Sequence, residues 1–359
     1  MNKLCCNFQK YRNELFGISI LSIMIFHYFE DVSNAKITGA LGYAAKGYIF
    51  FIGSSGVEIF LFLSGMGLFY SLSKSPLVLP FYKRRLGRVL PTYLIVGGIG
   101  WLVIDILLKR RGLRSFLSDF STYSFWRYGE RLVWYVSLIL LLYLFFPLLF
   151  RLFSIKNKPL STAALWELFA FFFFGIIIIY CLAPGFYKHT EIALWRVFPF
   201  IIGAWYGKKQ YNGEKTGKAF AAAALAGLVL KLAGAFVGKS APFPLSLLSL
   251  RLNNLLYPLI VMLAFTALLS LIDKRRAASG KEKKRRWALS WLGSISFELY
   301  LCHVILRRIS KTAGLPNCNF AVWTAYIAIS LAAAVGVKLA LDKVIKKRRK
   351  RAEGKASAD

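Results

Sequence analysis

Acidic residues are scarce in this chain: 16 Asp and Glu stand against 48 Lys and Arg among 359 residues, a formal net charge of +32. So basic a balance raises nucleic acid as a partner. That partner needs a basic face on a folded soluble unit, and no stretch of the sequence is polar enough to build one. Charged residues of both signs make up only 18% of the chain, against about 25% in soluble domains. Histidine is rarer still, with three residues, His27, His189 and His303. The five cysteines are Cys5, Cys6, Cys181, Cys302 and Cys318. An odd number with no ligand-like spacing excludes a disulfide framework and a Cys/His metal centre. The adjacent Cys5 and Cys6 leave palmitoylation open.

What is present is hydrocarbon-compatible sequence. Hydrophobic residues make up 57% of the chain and recur in long runs from end to end. A membrane-spanning helix needs about 20 mainly apolar residues. On that measure the spans fall at 15–33, 47–71, 88–108, 133–153, 164–183, 191–207, 219–237, 253–272, 288–306 and 319–341. The sixth is the weakest, being short and holding Glu191 and Arg196. The expected fold is an all-α, polytopic transmembrane bundle of about ten spans. Its membrane domain covers 1–342, followed by a basic cytoplasmic tail over 343–359. Lys3, Lys10 and Arg12 precede the first apolar run as in a signal peptide, but no small-x-small cleavage site follows, so it reads as a retained helix. The strongest basic clusters are Lys83-Arg84-Arg85 with Arg88, Lys274 to Arg286, and Lys343 to Arg351. They fall on one side if both ends are cytoplasmic, which favours an N-in, C-in arrangement in the cell membrane and contact with anionic lipid. The exception is the loop carrying Lys109, Arg110, Arg111, Arg114, Arg127 and Arg131. It means either a miscounted span or a site for an anionic acceptor.

A charged or titratable group inside the bilayer costs several kcal/mol on most scales and is retained for a partner or a role. His27 lies about 18 Å along the first helix from Leu15, past the middle of the ~30 Å hydrocarbon core. Its imidazole can take a proton from a hydroxyl and return it, or it can be a histidine satisfied by a neighbouring helix. Glu58, inside the second span, can hold the far N–H of His27 or pair with a basic residue. Arg85 and Arg88 share one helix face by their i, i+3 spacing, and can clamp phosphate or simply flank a span. Glu298, Tyr300 and His303 lie on the ninth span, either as interfacial anchors or as part of an acceptor cleft.

These segments together resemble the acyltransferase 3 family of membrane acyltransferases over most of the chain. Leu15-Phe16-Gly17-Ile18 through Phe26-His27 resembles the family's opening helix with its histidine. Gly56-Val57-Glu58-Ile59-Phe60 through Leu63-Ser64-Gly65 resembles its second-helix motif. Phe81-Tyr82-Lys83-Arg84-Arg85-Leu86-Gly87-Arg88 through Pro91 resembles its Arg-x-x-Arg third helix. Trp134-Tyr135-Val136-Ser137 through Phe146-Pro147-Leu148, and Ile295-Ser296 through Cys302-His303, are similar to later helices. Where the family commonly has Arg or Lys before the helix-one histidine, this chain has Phe16, and Arg12 lies one turn earlier on nearly the same face. The resemblance implies an O-acyltransferase moving an acyl group, commonly acetyl, from acetyl-CoA or another acyl-CoA to a hydroxyl of a cell-surface polysaccharide or lipid-linked sugar. With that resemblance His27 is expected to act as base, and the placement of Glu58 in the second span leads us to expect it to orient the ring. The resemblance also implies Arg85 and Arg88, with Arg84, Lys83 and Arg12, on the donor's phosphates, and neither a metal nor a permanently bound cofactor. A sugar or lipid transporter, or an inactive relative, is the alternative.

Overall fold

The computed structural model describes residues 8–53, 55–154, 158–214, 216–237, 251, 255–279 and 287–356. Cys5 and Cys6, the Lys281–Arg286 part of the basic cluster and the last three residues of the tail lie outside the described residues. All regular structure among the described residues is helical. Hydrocarbon requires this, because it offers no partner to backbone N–H and C=O groups and only a helix satisfies them within one segment. The chain is a multi-pass membrane protein. Among the described residues, 8 helices are long and apolar enough to cross a membrane, or 9 if one bent pair counts as a single span.

The elements are α1 (Arg12–Asn34), α2 (Gly39–Tyr48), α3 (Ser55–Lys74), α4 (Val78–Thr92), α5 (Gly98–Trp101), α6 (Leu113–Phe120), α7 (Tyr123–Tyr128) and α8 (Trp134–Phe153). There follow α9 (Lys158–Leu182), α10 (Pro184–Leu194), α11 (Val197–Tyr211), α12 (Gly217–Val237), α13 (Tyr257–Ala278), α14 (Trp287–Ser294), α15 (Ser296–Thr312) and α16 (Phe320–Ala356). Wider π-helical turns link α2 to α3 at Ile49–Gly53 and surround α5 at Tyr93–Gly97 and Leu102–Leu108. The turn at Tyr93 follows Pro91, whose missing N–H interrupts the α-helical ladder. Such turns gather at functional sites.

The sixth expected span, 191–207, does not form one unbroken helix. The chain breaks between α10 and α11 at Trp195 and Arg196, where Arg196 Nη1 donates to the Ile192 carbonyl at 2.9 Å. The ninth expected span is also divided, since α14 and α15 meet at 74°. The tail continues α16 as helix to Ala356.

The bundle has two faces, one at the Arg12 end of α1 and one at the Asn34 end. Lys10 and Tyr11 bond Asp273 of α13 at 2.9 and 2.7 Å, so α13 finishes at the Arg12 face. Tyr211 packs on Phe69 and Tyr70, so α3 and α11 finish there together. At the Asn34 face, Tyr28 packs on Phe320 and Trp323 where α16 begins.

Two crossings bring backbones into direct contact. At the first, α3 meets α11: a Cβ on Gly203 would stand 2.1 Å from the Phe62 carbonyl oxygen, and one on Gly65 would stand 2.2 Å from that of Phe200. At the second, α1 meets α14: a Cβ on Gly293 would stand 1.9 Å from the Asn13 carbonyl oxygen. Within lipid there is little hydrophobic drive between helices, so small residues that permit close packing determine the neighbours. Gly203→Leu is therefore expected to force α3 and α11 apart and cost at least the ~1–3 kcal/mol of ordinary overpacking. Gly336→Leu, at a position with nothing within 4 Å of the added Cβ, should be neutral. Thermal unfolding of the two purified variants in detergent measures the difference.

Candidate active site

His27 sits in the last third of α1 and meets His303 of α15, with His27 Nδ1 2.9 Å from His303 Nε2. His303 is fully buried, and its other ring nitrogen, Nδ1, lies 3.2 Å from the Leu299 carbonyl one turn earlier in its own helix. That carbonyl can only accept, so His303 carries its proton on Nδ1 and offers a lone pair at Nε2. His27 must then donate from Nδ1, which leaves its Nε2 unprotonated. In this tautomer the free lone pair of His27 is on Nε2.

A second rung lies one turn further along both helices. Arg307 of α15 forks onto Asp31 of α1, with Nε to Oδ2 at 2.8 Å and Nη2 to Oδ1 at 2.6 Å, and Nη2 also reaches Glu30 at 2.6 Å. Lys311 closes on the same Asp31. Since 27 pairs with 303 and 31 with 307, α1 and α15 run parallel in a fixed register.

Glu58 stands apart from this relay. Its Oε1 makes an ion pair with Arg196 Nε at 3.0 Å, Glu58 being buried and Arg196 partly exposed to the cavity, and Arg196 lies over the Trp134 ring at 4.9 Å. The orienting contact expected from Glu58 to His27 is supplied by His303 instead. Glu58 takes the other course open to it, a basic partner from the helix break at α10–α11. Hydrogen-bond reach between helices depends on which helices are neighbours, and hydropathy does not encode this. The signals that were available were the paired spacings His27/Asp31 and His303/Arg307.

His27 lines a cavity of about 1100 Å³ that opens toward the Asn34 face. Around the relay its wall carries Glu30, Arg307, Arg308 and Lys311; across from it stand Arg131, Arg196, Lys231 and Arg251; Lys46 and Lys109 complete it. On the Arg12 side of the bundle is a smaller pocket of about 60 Å³, holding Arg12, Arg85, Arg88 and Tyr143. Arg85 and Arg88 enter it together from one face of α4. Arg12 enters from α1 and lies over the ring of Phe16 at 4.9 Å, in a space that Gly67 leaves open. The Nε atoms of Arg12 and Arg85 are buried with no hydrogen-bond partner among the described residues. Arg84 and Lys83 are exposed and do not line this pocket.

Between the two lies a collar of Ile23, Val57, Phe60, Tyr135, Phe297 and Tyr300 around a gap of about 10 Å³, no larger than one water. Ile23, Val57 and Tyr300 also line the large cavity, and Phe60, Tyr135 and Phe297 also line the small pocket. Tyr135 and Tyr300 meet edge to face at 5.2 Å. A cationic pocket and a large cavity with His27 at its wall thus share this collar, whose side chains close one from the other.

Among the described residues no group of His, Cys, Asp and Glu is arranged to hold a metal ion. No curated protein and no solved structure matches the chain. A family model does, described as an acyltransferase domain, over residues 17–339. That match takes in both helices of the histidine relay, the Arg-x-x-Arg helix and the collar, and the chain belongs to the acyltransferase 3 family of membrane-bound acyltransferases.

Proposed function

We propose that the protein moves an acyl group, acetyl being the simplest, from a coenzyme A thioester to a hydroxyl of a cell-surface polysaccharide or a lipid-linked sugar. The observation that carries this reading is the alignment of an arginine pocket, a ring collar and a histidine poised as base. Arg85 and Arg88, with Arg12, take the donor's phosphates, a role suited to the buried Nε–H groups of Arg12 and Arg85, which have no partner among the described residues. Arg12 fills the place of the basic residue that Phe16 lacks. From Arg12 to His27 is about 22 Å along α1, so the donor's long arm extends through the collar, whose rings turn to admit it.

At the far end, His27 Nε2 takes the proton of the sugar hydroxyl as its oxygen attacks the thioester carbon. The C–O bond forms and the C–S bond breaks. The thiolate recovers the proton from the imidazolium, giving the ester and free coenzyme A thiol. His303 accepts from His27 Nδ1 throughout and keeps the ring aligned. Glu58 acts through Arg196, holding that cation on the cavity wall where it can face charge developing on the thioester oxygen.

We further infer ten crossings with both termini at the cytoplasmic face, where coenzyme A is found. The register of α3 with α11 makes α10–α11 a crossing toward the Arg12 face despite its break. The parallel course of α1 and α15 then requires an even number of steps between them. Positive charge near the Arg12 face agrees.

His27→Ala is expected to lower transfer of label from acetyl-CoA to cell-envelope sugar by about 10²–10⁴-fold, the usual worth of a general base, with the protein still accumulating in the membrane. Product at the parent rate would remove His27 from the reaction. Arg85→Ala and Arg12→Ala should each raise KM for the acyl-CoA by about tenfold or more, as loss of a charge-assisted bond of ~1.5–3 kcal/mol requires, and leave KM for the sugar unchanged. Equal donor KM in parent and variants would return these arginines to topology alone. Sugar carried across proteoliposomes with no label transferred would favour a transporter.

A further inference from the structure

The large cavity is far more basic than acyl transfer to a neutral sugar requires. Among the described residues, nine Lys and Arg side chains line it, and Glu30 is the one lining carboxylate. Behind the wall, Asp31 serves Arg307 and Lys311, Glu58 serves Arg196, Glu130 serves Arg308, and Glu191 is shared by Arg131 and Arg251. Positive charge therefore exceeds negative even when every one of these carboxylates is counted. Lys231, from the middle of α12, turns to the cavity, with its Nζ over the rings of Phe50 at 4.6 Å and Tyr257 at 5.4 Å. Lys46 and Lys109 form no ion pair among the described residues.

This surplus has a cost. Like charges in a water-poor enclosure repel strongly, and burial together with Arg111 and Arg308 pushes the Lys109 amine below its ordinary value. It also works against topology, because the cavity opens on the face away from the Arg12 end, where basic residues are normally depleted. A wall that merely needed to be polar could use Ser, Asn or Gln. Cations of this number, drawn onto one space from α2, the segments ahead of α6, α8 and α13, the α10–α11 break, α12 and α15, are matched to an anion.

We propose that this cavity receives an acceptor sugar that carries its own negative charge, a phosphate or a carboxylate close to the hydroxyl that is acylated. The proposal rests on the reading of the protein as an acyltransferase and names the acceptor class of that same site. The anion occupies the cationic wall formed by Lys46, Lys109 and Arg308, and this brings the neighbouring hydroxyl to His27 Nε2. The charge on the sugar thus selects the acceptor and positions it. A phosphate linking the sugar to lipid and a carboxylate of a uronic acid offer the same chemistry to this wall.

The test uses purified full-length protein in detergent and three matched probes: methyl glucoside, its 6-phosphate and methyl glucuronide. Binding is followed by titration calorimetry at two salt concentrations. The charged probes should bind at least tenfold more tightly than the neutral one, and that advantage should shrink as salt rises. Lys46→Gln with Lys109→Gln should remove about tenfold of the affinity for the charged probes and leave binding of the glucoside as it was. Arg85→Ala, in the other pocket, should leave all three unchanged. The stronger of the two charged probes identifies phosphate or carboxylate as the source. Equal affinity for neutral and charged probes overturns the proposal, and so does an anion site that is lost in Arg85→Ala but kept in the double variant. Transfer of label from acetyl-CoA to a neutral sugar with no preference for charge would overturn it while leaving the acyltransferase reading intact. Charge-selective binding without transfer of label to any sugar would uphold the anion site and defeat that reading.

Discussion

The site depends on α1 and α15 lying parallel in a single register. Two rungs hold them, His27 on His303 and Asp31 on Arg307, each one turn apart on its own helix. A slip of one turn would break both at once. The Arg307–Asp31 rung supplies most of the lock, since it is bidentate and its carboxylate is buried. The imidazole rung is weaker in energy but specifies more. It determines which nitrogen of His27 keeps its lone pair, and hence which chemistry the ring can do.

The ionic groups inside the bundle follow the same logic. Hydrocarbon makes an isolated charge expensive, so Glu58, Arg196, Glu191 and Arg251 occur as partners around one space and not along the lipid-facing surface. Such pairs contribute little net stability, because desolvation offsets most of the attraction. Their use lies in geometry. Each carboxylate fixes the position of a cation that lines the cavity, Glu58 at the Nε of Arg196 and the others at the terminal nitrogens of Arg131, Arg251, Arg307, Arg308 and Lys311.

Much of this was legible in the sequence because the solvent is simple. Long apolar runs mark spans wherever lipid surrounds a helix, and the i, i+3 spacing of Arg85 and Arg88 was enough to place them on one face. The segments read poorly are those that lipid does not surround. Residues 191–207 hold Glu191 and Arg196, which are paired with Arg131, Arg251 and Glu58, and the α11 segment that follows packs on α3, so burial in protein replaced burial in lipid. The helix break at Arg196 has the same origin. Residues 288–306 gave one apolar run for two helices at 74°, since the bend arises where Gly293 crosses Asn13, a contact between segments far apart in the chain. The partner of His27 was hidden for a related reason. Glu58 and His303 were both visible as polar residues within spans, but only the packing of α15 on α1 and of α11 on α3 decides which one reaches the imidazole.

The closed collar gives the arrangement its remaining logic. An open path from the arginine pocket to the basic cavity would be an aqueous pore through the bilayer, and a thioester beside an unprotonated imidazole would be exposed to water. Six apolar and aromatic side chains reduce that path to a space for one water, and four of them are rings that can rotate out of the way with little change in backbone. Exclusion of water strengthens each electrostatic contact to the reacting groups and suppresses hydrolysis of the donor. On the proposed reading the collar opens for the donor's arm and closes around it, so that the arm itself becomes the plug while the acyl group reaches His27. On this view Tyr135 and Tyr300 carry their bulk for sealing, and the Phe60 and Phe297 rings beside them supply the apolar lining that a thin, uncharged arm can displace but a hydrated ion cannot.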